Sequence, residues 1–144
     1  MMITWARDWT VETIHTQFIN NRIVFPRGKR VTNRWSDGKR SRFMESLIIG
    51  IPIPSIFLLD DGNQLFSILD GYERISTIAG FIEPDEEESW INPLLNIGPN
   101  NNLNGKSFMS LDDDTSRLLM NASIRCVFFK DCDDINDLIV RYGW

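Results

Sequence analysis

The residue types with the most chemical potential lie in one short run, Asp70-Gly71-Tyr72-Glu73-Arg74, with Ser76 and Thr77 just beyond it. Two carboxylates and a guanidinium within five residues can hold and polarise an anion, or share a cation with it. Ahead of the run stands Leu65-Phe66-Ser67-Ile68-Leu69, whose β-branched and aromatic content suits a buried strand. On its other side Ile75, Ile78, Ala79 and Ile82 recur at helical intervals. A strand that turns sharply through Asp-Gly into a helix directs backbone N–H groups at whatever lies above the turn. Those donors and the helix dipole both favour negative charge. Arg74, in the first turn, adds a forked donor suited to phosphate. Taken alone, the same run also reads as a plain Asp-Gly turn between two core elements.

A second concentration lies upstream, in Arg27-Gly28-Lys29-Arg30-Val31-Thr32-Asn33-Arg34-Trp35. It is basic and poorly periodic, as expected of a loop. Cations beside an exposed aromatic can hold phosphates and stack a base. Equally, Trp35 can anchor in the core while the charges are merely solvated. Other polar groups carry less. His15 is the sole histidine, and a metal site needs several ligands gathered together, so it reads as an ordinary helix residue. Asp112, Asp113 and Asp114 are consecutive and cannot all face one ion from a regular element, so helix N-terminal capping is the better reading. No structural metal is expected.

The elements that must position these residues can be read from local patterns. Trp9, Ile14, Phe18 and Ile19 fit a first amphipathic helix, with Asp8 or Thr10 as its N-cap. Ile23-Val24-Phe25 forms a short extended segment stopped by Pro26. Ser36 or Asp37 caps a second helix over 39–49, with Phe43, Leu47 and Ile48 inward and Lys39, Arg40 and Arg42 on a cationic face. Gly50 ends it, and Ile51-Pro52-Ile53-Pro54 forbids further helix. Residues 55–59 then read as a strand, and Asp60-Asp61-Gly62-Asn63 as a hairpin turn leading back into 65–69. Residues 83–105, acidic and then rich in Asn, Gly and Pro, read as a long surface loop. A helix around Arg117–Met120, a strand over 122–130 and a last helix capped by Asp133 complete the expectation. The class is α/β (α+β): a small mixed sheet with a β-hairpin and surrounding helices, forming one domain over 1–144.

Composition excludes some classes of function. At 144 residues with 42% hydrophobic content the chain can bury a proper core. No apolar run reaches the roughly 18 residues of a membrane span, and the first residues lack the apolar core of a signal peptide. With Cys126 and Cys132 expected as reduced thiols, a cytoplasmic protein with no membrane partner is the default. Net charge is −5, yet residues 1–50 carry nine Lys/Arg against four Asp/Glu, while residues 51–144 carry six against sixteen. Such asymmetry can mark a polyanion contact on one face, without making the chain a bulk DNA coater.

Two motifs in order give a resemblance. WSDGKRSRFMESLIIGIPIPSIFL and, after it, FSILDGYERISTIAGF resemble the ParB/sulfiredoxin-like domain at the N-terminus of GmrSD-type restriction enzymes. The first part matches at Trp35, Ser41, Arg42, Glu45, Ser46, Leu47, Gly50, Pro52, Ile53 and Pro54, and the second at Asp70, Gly71, Arg74 and Thr77. The resemblance implies a ParB/sulfiredoxin-like fold and a domain of a DNA-restriction or anti-phage system. It also implies a D-G-Q-Q-R turn tied to binding and hydrolysis of a nucleoside triphosphate with Mg2+. Carried over, Asp70, Glu73 and Arg74 are the candidate catalytic residues. Gly71, Tyr72, Arg74, Ser76, Thr77 and Trp35 are candidates for nucleotide or phosphate binding, with Arg30 as the loop arginine and Arg27 and Arg34 as alternatives. Tyr72 and Glu73 stand where that pattern has two glutamines, and a glutamate so placed repels phosphate unless a cation or Arg74 intervenes.

Relatives of the pattern narrow the chemistry. Tyr72 occupies the cysteine position of the sulfiredoxin turn, against a thiol-based reductase, and one histidine cannot build a His-Asn-His nuclease within these residues. Two readings stay open: a nucleoside triphosphatase, or a non-catalytic binding module or inhibitor that engages DNA through the basic loop, a full-length relative or a second copy. The chain ends at Tyr142-Gly143-Trp144 without the Arg-x-Asn-x-Gly stretch expected next, which fits a domain of something longer.

Overall fold

The computed structural model describes residues 2–25, 33–84, 94 and 101–130. Within them a five-stranded mixed sheet is combined with four helices, as the α/β expectation requires. In chain order these are β1 (Ile3–Thr10), α1 (Val11–Ile19), β2 (Ile23–Val24), α2 (Asp37–Ile49), β3 (Ile56–Asp60), β4 (Phe66–Asp70), α3 (Tyr72–Ile82), α4 (Asp113–Met120) and β5 (Ser123–Lys130). The strand order is β1-β5-β3-β4-β2, with β1–β5 and β3–β4 antiparallel and β5–β3 and β4–β2 parallel.

Strand β1 corrects the sequence reading. Trp9 belongs to this strand and not to the first helix, which starts only after Thr10 caps it by accepting from the Thr13 N–H at 3.1 Å. Trp5 and Trp9 are four residues apart, so a strand puts both on one face. There Trp5 stacks on Phe128 with centroids 5.4 Å apart, and Trp9 meets Phe128 edge-on at 5.1 Å. Cross-strand aromatic packing of this kind outweighs the helix-compatible spacing of Trp9 with Ile14.

The main core lies on the helical side of the sheet, where Ile14, Met44, Ile56, Leu58, Ile68, Ile75, Ile78, Phe81 and Phe128 are buried. A smaller cluster of Leu59, Leu69 and Phe129 occupies the other face. Within the stretch 83–105, read as a surface loop, residues 85–93 and 95–100 lie outside the described residues, and two described leucines belong to the core. Leu94 is fully buried, its N–H donates to the Lys106 carbonyl at 3.0 Å, and its own carbonyl accepts from Gly105 at 2.8 Å. Leu103 joins it in the core. Leucines set among Asn, Gly and Pro have no periodicity to betray them. The expected helix after Asp133, and Cys132 with it, lie outside the described residues, and so do Arg27 and Arg30.

Two junctions position the candidate site. Helix α2 begins at Ser36, whose hydroxyl accepts from the Lys39 N–H at 3.2 Å, and ends at Gly50 in the left-handed conformation. The Ile51–Ser55 connector then leads into β3. At the other junction the hairpin register steps from Phe57 opposite Asp70 to Leu58 opposite Ile68, which leaves Leu69 as an extra residue. This bulge sits just before Asp70-Gly71 and turns the chain as β4 gives way to α3.

Candidate functional site

Gly71 is the pivot. Its φ of +110° is a conformation that side chains rarely adopt, and it is the N-cap of α3 without a side-chain cap. A Cβ here would meet Ile56 Cγ1 at 3.0 Å and Arg74 Nη2 at 3.1 Å. The absent side chain therefore makes room for the guanidinium. Arg74 turns back over the turn, where Nη2 donates to the Ser55 carbonyl at 2.9 Å and lies 3.5 Å from Asp70 Oδ2. Its Nε is buried without a hydrogen-bond partner.

Arg74 lines a cavity of about 400 Å³ together with Trp35, Lys39, Arg42, Phe43, Ser46 and the Pro52-Ile53-Pro54 segment. Three of those side chains are cationic, and no acid lines the cavity among the described residues. Lys39, Arg42 and Ser46 share one face of α2 because they are three and four residues apart. Trp35 leans edge-on against Phe43 at 5.3 Å and packs against the core, and it is half-buried where it lines the cavity. The Lys39 ammonium sits 5.1 Å from its ring centroid, a cation–π contact. An anion with an attached planar group suits such a lining, in both size and charge.

The other sequence-derived candidates take different places. Asp70 and Glu73 are half-buried at the turn; Asp70 pairs with Arg74, and the Glu73 carbonyl accepts from Asn33. Tyr72 is buried against Phe25 with centroids 4.7 Å apart, so its ring belongs to the core. Ser76 and Thr77 are buried, and their hydroxyls take the Asn33 amide at 2.7 and 3.0 Å. Arg34 is exposed. Arg40 departs from the cationic face assigned to it: it is buried, turned to Asp37 at 3.4 Å and to the Asn33 carbonyl at 3.5 Å. The helical angle explains this, since Arg40 lies one residue, about 100°, away from Lys39.

Asn33 is the residue that sequence reasoning missed. Its amide nitrogen is shared among the Glu73 carbonyl, Ser76 and Thr77, while its Oδ1 accepts from the Trp35 N–H at 2.9 Å. One side chain thereby ties the end of the basic loop to the first turns of α3 and sets Trp35 beside the cavity. The only signal available was an amide within a basic run, next to a helix start.

Three titratable groups outside the cavity have shifted protonation. Burial holds His15 below its ordinary value, partly offset by Glu83 at 4.0 Å. Burial pushes the Cys126 thiol up to about 12, while Asp112 is lowered because it accepts from the Thr115 N–H as the α4 cap. Among the described residues no three His, Cys, Asp or Glu side chains gather as a metal site, and no helix is long and apolar enough to cross a membrane.

The family described as GmrSD restriction endonuclease, N-terminal domain, matches residues 14–138. No curated protein and no solved structure matches the chain.

Proposed function

Since the chain belongs to the family of GmrSD restriction endonuclease N-terminal domains, we propose that it is the nucleotide-binding part of a restriction or anti-phage system and holds its ligand by the phosphates in the α2–α3 cavity. One observation carries this reading: Arg74, Arg42 and Lys39 converge with Trp35 on a single cavity of about 400 Å³. Guanidinium groups match phosphate oxygens in forked geometry, and an aromatic wall accepts a base. Mg2+ takes one or two carboxylates plus phosphate oxygens; no acid lines the cavity among the described residues, and Asp70, paired with Arg74, is the carboxylate that would hold the ion. The ion would supply charge neutralisation on the phosphates.

Binding without turnover is the form of this reading that the turn favours. Tyr72 packs into the core, and a glutamate comes next, so neither position offers the neutral amide that can orient a water between phosphate and protein. Isothermal titration with ATP, GTP, CTP and UTP, each with Mg2+, tests the site. At least one should bind, and Arg74→Ala should weaken it by about tenfold or more. Silence with all of them, or an Arg74→Ala variant that binds like the parent, overturns the reading. Phosphate release above the protein-free blank, lost in Asp70→Asn, would replace binding alone by hydrolysis.

A further inference from the structure

Strand β1 is the outer strand of the sheet among the described residues, eight residues long and paired on one side only. The Val11 N–H donates to the Ala122 carbonyl at 2.9 Å, continuing the register in which Trp9 faces Ile124. Odd-numbered residues of β1 thus spend their backbone groups on β5. By the alternation of an antiparallel ladder, Thr4, Ala6 and Asp8 present theirs outward. All three side chains are exposed, and Ile3 on the other set is 49% exposed. Long open edges with apolar side chains are templates for another strand.

We infer that β1 pairs with β1 of a second copy of this chain, antiparallel across a two-fold axis through Ala6. A two-fold axis normal to the sheet pairs residues of like parity, so only a few registers are available. With Asp8 or Arg7 on the axis, identical charges would face each other. With Ala6 on the axis every contact is favourable. Ala6 meets its own copy, and Thr4 meets the other chain's Asp8, hydroxyl to carboxylate; each such pair exchanges both backbone hydrogen bonds. On the core-side face Trp5 lies opposite Arg7 as a cation–π pair, and exposed Ile3 lies opposite Trp9. The second copy is the occupant that this complementarity selects, because the strand's own sequence supplies both halves of each contact. The result is a sheet continuous through both chains, independent of any ligand in the α2–α3 cavity.

Sedimentation velocity of the full chain tests this, with a concentration-dependent dimer expected below about 1 mM. Ala6→Pro removes an outward N–H without touching the β1–β5 ladder, a place where an outer strand tolerates proline, and should give a monomer. Should that variant fail to fold, a charge pair at exposed Thr4 decides instead. Thr4→Asp sets two symmetric like-charge contacts against Asp8 and should raise the dimer Kd about tenfold, whereas Thr4→Lys should lower it. Mild oxidation should link Ala6→Cys chains, whose Cα atoms would lie about 5.5 Å apart, and should leave Thr4→Cys chains unlinked. A parent that stays monomeric, a dimer indifferent to the sign of charge at Thr4, or linkage of Thr4→Cys in preference to Ala6→Cys overturns the inference.

Discussion

At the scale of single residues the candidate site rests on Gly71 making room for Arg74. Gly71→Ala forces a side chain into a left-handed backbone and against Ile56 and Nη2 of Arg74. Strain of this kind costs about 1–3 kcal/mol, and urea denaturation should show it. Nucleotide affinity should fall as well, because the added carbon displaces the guanidinium. His15 gives a pH prediction. Its folded-state pKa lies below 6.5, held there by burial, with Glu83 opposing. Its contribution to stability is therefore complete above 6.5 and is lost as pH falls through 6.5 toward the lower folded-state value. Thermal melts in this window should show a decline that His15→Gln flattens. Cys126, buried with its pKa near 12, should not react with a thiol reagent at pH 8 until the chain unfolds. The Asp70–Arg74 run was legible from residue types alone, since Asp-Gly between a strand pattern and a helix pattern announces a turn with a charged first helical turn. Asn33 was not legible. Its role depends on four partners, three of them some forty residues away, and no local pattern encodes them.

At the scale of elements, α2 carries two kinds of arginine that sequence alone does not separate. Arg42 lines the cavity, whereas Arg40 is buried and pairs with Asp37. Arg42→Ala should leave folding within about 0.5 kcal/mol of the parent, as exposed substitutions do, while weakening nucleotide binding. Arg40→Ala should do the reverse, costing about 1–3 kcal/mol by deleting a buried side chain and its bond to the half-buried Asn33 carbonyl. Denaturation and titration of both variants side by side check the contrast. Buried Arg40, Ser41 and Glu45 blur the apolar stripe of this helix, so its ends were plain from Ser36 and Gly50 but its orientation was not. The opposite happened at β1. The sequence spacing puts Trp9 in the first helix, and only the packing of Trp5 and Trp9 against Phe128 and Phe66 decides for strand over helix.

At the scale of the whole molecule, Leu94 and Leu103, within the stretch read as a surface loop, belong to the core. Leu94 is fully buried and bonded through both backbone groups to Gly105 and Lys106. Leu94→Ala should therefore cost about 2–5 kcal/mol, the range for deleting a core leucine, where a loop-tip residue would cost almost nothing. Chemical denaturation distinguishes the two. The α/β class, the hairpin and the strand–turn–helix were all set by local periodicity and turn chemistry. The strand order was not, because it depends on which distant edges meet.

That order has a consequence in time. Ile3 lies opposite Lys130, and Thr10 opposite Ser123. Of the described strands, β1 is made first and β5 last, so β1 lacks this partner until nearly all the described chain has been made. During synthesis β1 must wait as a tethered, amphipathic ribbon while β3, β4 and α3 assemble from near neighbours. Loop closure over such a separation is slow compared with the local steps. The polar residues Thr4, Arg7 and Asp8 within that ribbon keep it soluble during the wait, which is when a nascent chain is most exposed to wrong company.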